Sequence, residues 1–287
     1  MTAELGAIIT AMVTPFDASG AVDEPAAGAL MHHLVEHGSD GLVICGTTGE
    51  ASTLNDDEHL RMIALAVGEM RGQCTVIAGV GSNDTRHAVR LTERATELGA
   101  DALLSVNPYY NRPSRRGIVR HFKEVNRATD RPIVLYNIPQ RTGSDMPNDL
   151  LAELAQLDNV CAVKQANHAN LARIDGLQIY AGNDDMLADV LDLGEPGGVL
   201  TGSHLFGEQM RRMVDEPEHR SEIDASLQDT YRDLALAPAA CSLKAALAMI
   251  GLDVGAPRLP YVELDERERT VVRAMLERHG LLQPANA

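Results

Sequence analysis

Eight short apolar runs, each followed by a more polar stretch, constrain this chain more than any other feature. They are Ile8–Val13, Gly41–Cys45, Thr75–Gly79, Ala102–Val106, Pro132–Asn137, Val160–Lys164, Leu177–Ala181 and Gly198–Thr201. Apolar runs this short, bounded by turn residues, read as strands buried on both faces. Helical spacing appears between them, as in Leu60, Ile63, Ala64 and Val67, or Ala88, Leu91, Ala95 and Leu98. Asn83-Asp84-Thr85 offers N-cap chemistry for the second of these helices. Buried strands separated by helices imply parallel βαβ units, and eight of them imply an α/β fold closed into a TIM (β/α)8 barrel. The alternative is an open doubly wound sheet, but nothing in the chain resembles its GxGxxG turn.

The pattern changes after about residue 215. Only helical signals follow: around Ile223–Leu236, Ser242–Ile250 and Asp265–His279, punctuated by Gly251, Gly255 and the Pro257–Pro260 stretch. The expected organisation is a catalytic barrel over residues 1–217 and a C-terminal helical region over 218–287.

A formal net charge of −16 disfavours nucleic acid and anionic membrane surfaces as partners. Basic pairs such as Arg115-Arg116 and Arg211-Arg212 read as solvated helix faces. The stretch from Met1 to Phe16 lacks a basic n-region and is interrupted by Thr10 and Thr14, which argues against a signal peptide. No apolar run approaches bilayer length. Cys45, Cys74, Cys161 and Cys241 have no ligand spacing and suit a reducing compartment as small hydrophobes. The expected location is the cytoplasm.

In such a barrel the active site lies where the strands end. Thr14 follows the first run, Gly46-Thr47-Thr48-Gly49-Glu50 the second, Gly81-Ser82-Asn83 the third, and Asn107-Pro108-Tyr109-Tyr110-Asn111 the fourth. The fifth ends in Tyr136-Asn137 and leads to Arg141; the sixth ends in Lys164. The seventh runs into Gly182-Asn183-Asp184 and the eighth into Thr201-Gly202-Ser203. Three of the six tyrosines in the chain sit at these ends, more than solubility of loops requires.

Lysine is scarce. Of 25 basic residues only Lys123, Lys164 and Lys244 are lysines, and an arginine cannot condense with a carbonyl. Lys123 and Lys244 fall on helices with no evident chemical role. Lys164 ends an apolar strand, where a cation is either paired, with Asp184 or Glu50 as partners, or chemical. Each rim residue has a plain alternative: a tight turn for residues 46–50, a core tyrosine at Tyr136, packing aromatics at Tyr109 and Tyr110, a surface arginine at Arg141. Taken together they suit covalent chemistry through an amine. Desolvation lowers a lysine pKa, hydroxyls relay protons, a glycine-flanked turn offers N–H donors to a carboxylate, and an arginine holds a second one. No metal-ligand spacing and no phosphate loop is seen, so neither metal nor bound cofactor is expected. An imine-forming (class I) aldolase or lyase acting on 2-keto acids fits best.

At these same residues the chain resembles the dihydrodipicolinate synthase/N-acetylneuraminate lyase family. The matching stretches are Ala11–Phe16 (AMVTPF), Gly46–Glu50 (GTTGE), Asn107–Ser114 (NPYYNRPS), Tyr136–Gly143 (YNIPQRTG), Ala162–Lys164 (AVK) and Gly251–Pro260 (GLDVGAPRLP). The resemblance implies a TIM barrel with a C-terminal helical region, assembled as a tetramer, and an imine between Lys164 and pyruvate. It also implies that Thr47, Tyr136 and Tyr110 relay protons, Tyr110 reaching in across a dimer interface. Thr48 would hold the pyruvate carboxylate, Gly182 would border the substrate, and the backbone carbonyl of Leu200 would lie near the lysine. Arg141 matches the arginine by which the synthases hold aspartate semialdehyde, so the implied reaction is its condensation with pyruvate to 4-hydroxy-tetrahydrodipicolinate. The alternatives are a sister aldolase acting on N-acetylneuraminate or a 2-keto-3-deoxy sugar acid, and a catalytically silent barrel. The chain departs from the family pattern at Gln165, where many members carry Glu, and over Ala166–Leu171, which is one residue longer. Near the crevice where lysine inhibits some members, His59, Asn83 and Tyr109 match while Asp56 and His87 differ. Weak or absent lysine feedback is expected.

Overall fold

The computed structural model describes residues 4–282; the outermost ends of the two expected regions, and of the Met1–Phe16 stretch, lie outside the described residues. Eight parallel strands close on themselves in chain order, with β1 paired to both β2 and β8. They are β1 Ile8–Ala11, β2 Gly41–Ile44, β3 Thr75–Gly79, β4 Ala102–Val106, β5 Ile133–Asn137, β6 Val160–Gln165, β7 Gln178–Ala181 and β8 Gly197–Leu200. All eight expected strands are present: β3 and β4 have the expected bounds, and the others have ends displaced by one or two residues. The helices are α1 Glu24–Glu36, α2 Asp56–Met70, α3 Thr85–Leu98, α4 Arg115–Arg127, α5 Pro139–Thr142, α6 Asn148–Leu154, α7 Leu187–Asp192, α8 Ser203–Asp215, α9 Arg220–Leu234, α10 Ala239–Met249 and α11 Glu266–Arg278. Asp84 caps α3 as expected, its carboxylate accepting from the Arg86 N–H.

Side chains alternate between two cores. Ile9, Val43, Ile77, Leu104, Val134 and Val199 fill the barrel interior. Their strand neighbours pack outward against the helices, with Ile118, Phe122, Ile133 and Val163 in one such cluster. The Tyr180 hydroxyl, donating to the Gly6 carbonyl at 3.0 Å, anchors the interior to the segment before β1. Helices α9, α10 and α11 share the outer core with α1, α2 and α8 through Leu227, Leu247 and Met275.

One crossover lacks its helix. Between β6 and β7 there is only a 3₁₀ turn at His168–Asn170. That connection is about as short as a parallel crossover can be, and it is ordered by polar contacts instead. The Asn170 amide donates to both oxygens of Asp145, and Asn167 caps the turn through the Ala169 N–H. Among the described residues, no helix is long and apolar enough to cross a membrane.

Candidate active site

The turn after β2 is held under constraint. Cys45 and Glu50, at its two ends, both adopt left-handed backbone (φ 56° and 55°), which costs a side-chain-bearing residue of order 1 kcal/mol or more. Neighbouring strands compensate. A Cβ on Gly79 of β3 would lie 2.2 Å from the Cys45 carbonyl oxygen, so glycine there admits the turn. The Thr14 hydroxyl donates to the Gly49 carbonyl at 2.6 Å. Thr47 faces open space, while Thr48 is buried.

Lys164 points into the barrel because β6 carries a bulge. Ile133 pairs with Val160 but Val134 pairs with Ala162, so Cys161 is an extra residue in the ladder. Val160 faces the outer helices, and unbroken alternation would send Lys164 outward as well. The extra residue changes the phase: Cys161 and Ala162 both join the interior, Val163 faces out, and Lys164 comes in. Its Nζ then lies 4.6 Å from the centre of the Tyr136 ring, its partner in the ladder.

The environment favours the free amine. Burial lowers the Lys164 pKa to about 7, with the Arg141 charge acting in the same direction and Asp184 opposing it. Neither proposed ion-pair partner takes the lysine. The Asp184 carboxylate accepts from the Thr201 N–H at 2.8 Å, the Thr201 hydroxyl at 2.7 Å and the Gly202 N–H at 3.0 Å. Glu50 pairs with Lys244 instead. Burial also pushes the Tyr136 phenol up to about 12, although Arg141 and a hydrogen bond with Thr47 pull it down. Tyr136 therefore stays protonated near neutrality and is equipped to donate.

A cavity of about 440 Å³ brings Thr47, Thr48, Tyr136, Arg141, Lys164 and Gly182 to one surface. Gly182 is required by space: a Cβ there would meet the Gln165 carbonyl oxygen at 2.7 Å. Two expected residues stand apart. Leu200 is fully buried at the end of β8 and does not line the cavity. Tyr110 is 88% exposed, with φ at 72°, and within a single chain it reaches no part of the cavity.

Sequence reading missed the contribution of the last helices. Gln228 and Tyr231 of α9 line the same cavity, as do Gln140, His168 and Asp185 on the barrel side. No strand-end rule points to α9; a tyrosine on an amphipathic helix in a tyrosine-poor chain was the only signal. A smaller cavity of about 270 Å³ adjoins the first and shares Thr47, Tyr136 and Arg141 with it. It holds the crevice residues Asp56, His59, His87 and Tyr109, though not Asn83, with His87 Nε2 2.9 Å from Asp56 Oδ1 and His59 Nε2 2.7 Å from the Gly79 carbonyl oxygen. Gln165 faces away from the cavity, where its side-chain oxygen accepts from the Asn137 amide and the Asn167 N–H. The Asn137 amide also donates to Asp145. A Glu at 165 would set a second carboxylate against that shared donor.

A buried lysine with no ion-pair partner among the described residues, at the mouth of a (β/α)8 barrel and ringed by hydroxyls and an arginine, is the setting that a lyase of the imine-forming type requires. Comparison with known proteins narrows it. The Dihydrodipicolinate synthetase family matches residues 4–279. A protein of Desulforudis audaxviator named 4-hydroxy-tetrahydrodipicolinate synthase is 39% identical over 98% of this chain and 100% of its own. One of the same name from Caldicellulosiruptor bescii is 39% identical over 94% of this chain and 96% of its own. A crystal structure of DHDPS from Cyanidioschyzon merolae with lysine bound superposes with a TM-score of 0.94, at 36% identity, over 97% of this chain and 99% of that one. The chain belongs to the dihydrodipicolinate synthetase family.

Proposed function

We propose that the protein condenses pyruvate with L-aspartate-4-semialdehyde to 4-hydroxy-tetrahydrodipicolinate, through an imine on Lys164. The carrying observation is the buried lysine without an ion-pair partner, its pKa lowered to about 7, set among Tyr136, Thr47 and Arg141. The free amine of Lys164 attacks the pyruvate ketone; the new N–C bond forms a carbinolamine, and loss of water gives the imine. Tyr136 and Thr47 supply and recover the protons, a relay that a second copy of the chain completes with Tyr110. Thr48 holds the pyruvate carboxylate. Removal of a methyl proton gives the enamine, whose carbon attacks the aldehyde. The aldehyde substrate's own amine then displaces Lys164, closing the ring and releasing the enzyme. Arg141 holds the second carboxylate. No metal or cofactor enters any step.

Arg141 at the cavity favours this reaction over cleavage of N-acetylneuraminate or a 2-keto-3-deoxy sugar acid, which present hydroxyls where aspartate semialdehyde presents a carboxylate. The assembly we propose is a homotetramer, a dimer of dimers, acting in the cytoplasm in the lysine and diaminopimelate route. The test is borohydride trapping with pyruvate followed by peptide mapping. The adduct is expected on Lys164, and Lys164→Arg is expected to abolish both the adduct and at least about 10³-fold of the activity. A wild-type enzyme that turns over without any adduct overturns the imine mechanism.

A further inference from the structure

The turn that carries Thr47 and Thr48 ends in a residue bound to the C-terminal region. Glu50 is fully buried, and its Oε1 lies 2.8 Å from Nζ of Lys244 on α10, whose side chain is 1% exposed. Its Oε2 accepts the Arg258 backbone N–H at 2.8 Å. The Arg258 guanidinium returns to the barrel, donating to both oxygens of Glu58 and to the Thr53 carbonyl. The Phe16 ring lies 4.1 Å from Nζ of Lys244 and 4.2 Å from the Arg258 guanidinium, closing this seam on a third side. Neither Glu50 nor Lys244 lines the cavity, so neither touches substrate. Yet Glu50 is two residues from Thr48 and holds a left-handed conformation that its local sequence does not favour. Something outside the turn must keep it there.

We propose that Glu50 and Lys244 are positioning residues, an ion pair through which the C-terminal helical region fixes the Thr47–Thr48 turn for the pyruvate carboxylate. The proposal rests on the imine reading above. The turn's own hydrogen bonds, from the Glu50 N–H to the Thr47 carbonyl and from the Ala51 N–H to the Gly46 carbonyl, set its shape. They do not set its height relative to Lys164. Tethers to other elements do that: Thr14 from the segment after β1, Tyr136 of β5 through its bond with Thr47, and, for the Glu50 end, Lys244 with Arg258 from the C-terminal region. Lysine is otherwise almost replaced by arginine in this chain, and at this seam a compact ammonium fits between Phe16 and the Ala256 carbonyl, to which it donates at 3.2 Å.

The test compares the wild type with Glu50→Gln/Lys244→Met and with Glu50→Asp. The double substitution leaves no unpaired charge and keeps an acceptor for the Arg258 N–H, so its melting temperature is expected within a few degrees of the wild type. Its KM for pyruvate, and the pyruvate concentration for half-maximal borohydride trapping, are expected to rise at least about tenfold. The KM for aspartate semialdehyde, whose carboxylate Arg141 holds, is expected to stay within about twofold. Glu50→Asp keeps the charge but shortens the tether, and it is expected to raise the pyruvate KM likewise; it decides the matter if the double variant does not fold. A folded variant with wild-type pyruvate dependence overturns the proposal while leaving the imine intact. A wild type that gives no adduct overturns the imine reading and this inference with it.

Discussion

Lys164 at the barrel mouth and Lys244 at the seam are both buried, 4% and 2% exposed, yet they meet opposite fates. Lys244 has a carboxylate at 2.8 Å, a carbonyl and the face of the Phe16 ring around it, so burial is offset by pairing. Burial still lowers its pKa, but Glu50 pulls it back toward the ammonium form. Lys164 has the same low-dielectric surroundings without the ion pair, and Arg141 adds a like charge. What separates the paired lysine from the one proposed as nucleophile is therefore not burial but whether a carboxylate pairs with it. Asp184 stands near Lys164, but it makes no ion pair with it and its carboxylate is held instead by Thr201 and Gly202.

The contrast can be broken at either end. Lys244→Met alone strands Glu50 as an unpaired buried charge, and is expected to cost about 3–5 kcal/mol in chemical denaturation. Lys164→Met is expected to stabilise the fold instead, by roughly 2–4 kcal/mol at pH 7. The sign follows from linkage. Between pH 7 and 10.5 the unfolded chain keeps the Lys164 proton that the folded chain releases, so wild-type stability from this group rises with pH across that window. The advantage of Lys164→Met should shrink as pH is raised toward 10.5 and be fullest below 7. A variant no more stable than the wild type at pH 7 would show that Lys164 is paired after all.

Two smaller effects sharpen the reading of the rim. Arg141→Ala is expected to raise the KM for aspartate semialdehyde about 10- to 100-fold while leaving pyruvate trapping nearly unchanged, which steady-state kinetics and borohydride adducts measure separately. Millimolar lysine is expected to inhibit little or not at all, because His87 and Asp56 already bond to each other in the second cavity. An inhibition curve with a submillimolar midpoint would contradict this, and would align the protein with the relative crystallised with lysine bound.

Much of the fold was legible because burial on both faces forces β1 to β8 to be short, continuous and apolar, and because helix caps such as Asp84 act locally. The helix expected between β6 and β7 was not legible as absent. Its place is taken by the Asp145, Asn167 and Asn170 contacts, which join residues about 25 apart in sequence and carry no periodic signature. Arg211, read as a solvated helix charge, instead pairs with Asp40, whose carboxylate also accepts the Ala7 and Ile8 N–H groups at the foot of the barrel. Lys244, given no role from sequence, holds one of the two carboxylates that sequence had offered to Lys164. Such pairings depend on which helix packs over which strand.

By itself the sequence determined the barrel, the strand ends and the residue types gathered there, since period and composition follow from the two buried faces of each strand. The orientation of the decisive amine was a tertiary matter. Strict alternation from Val160 would turn Lys164 outward, and only the ladder with β5, in which Cys161 is the extra residue, returns it to the interior. Its charge state was decided there too, because desolvation, Arg141 and the opposing charge of Asp184 meet only once the strands close.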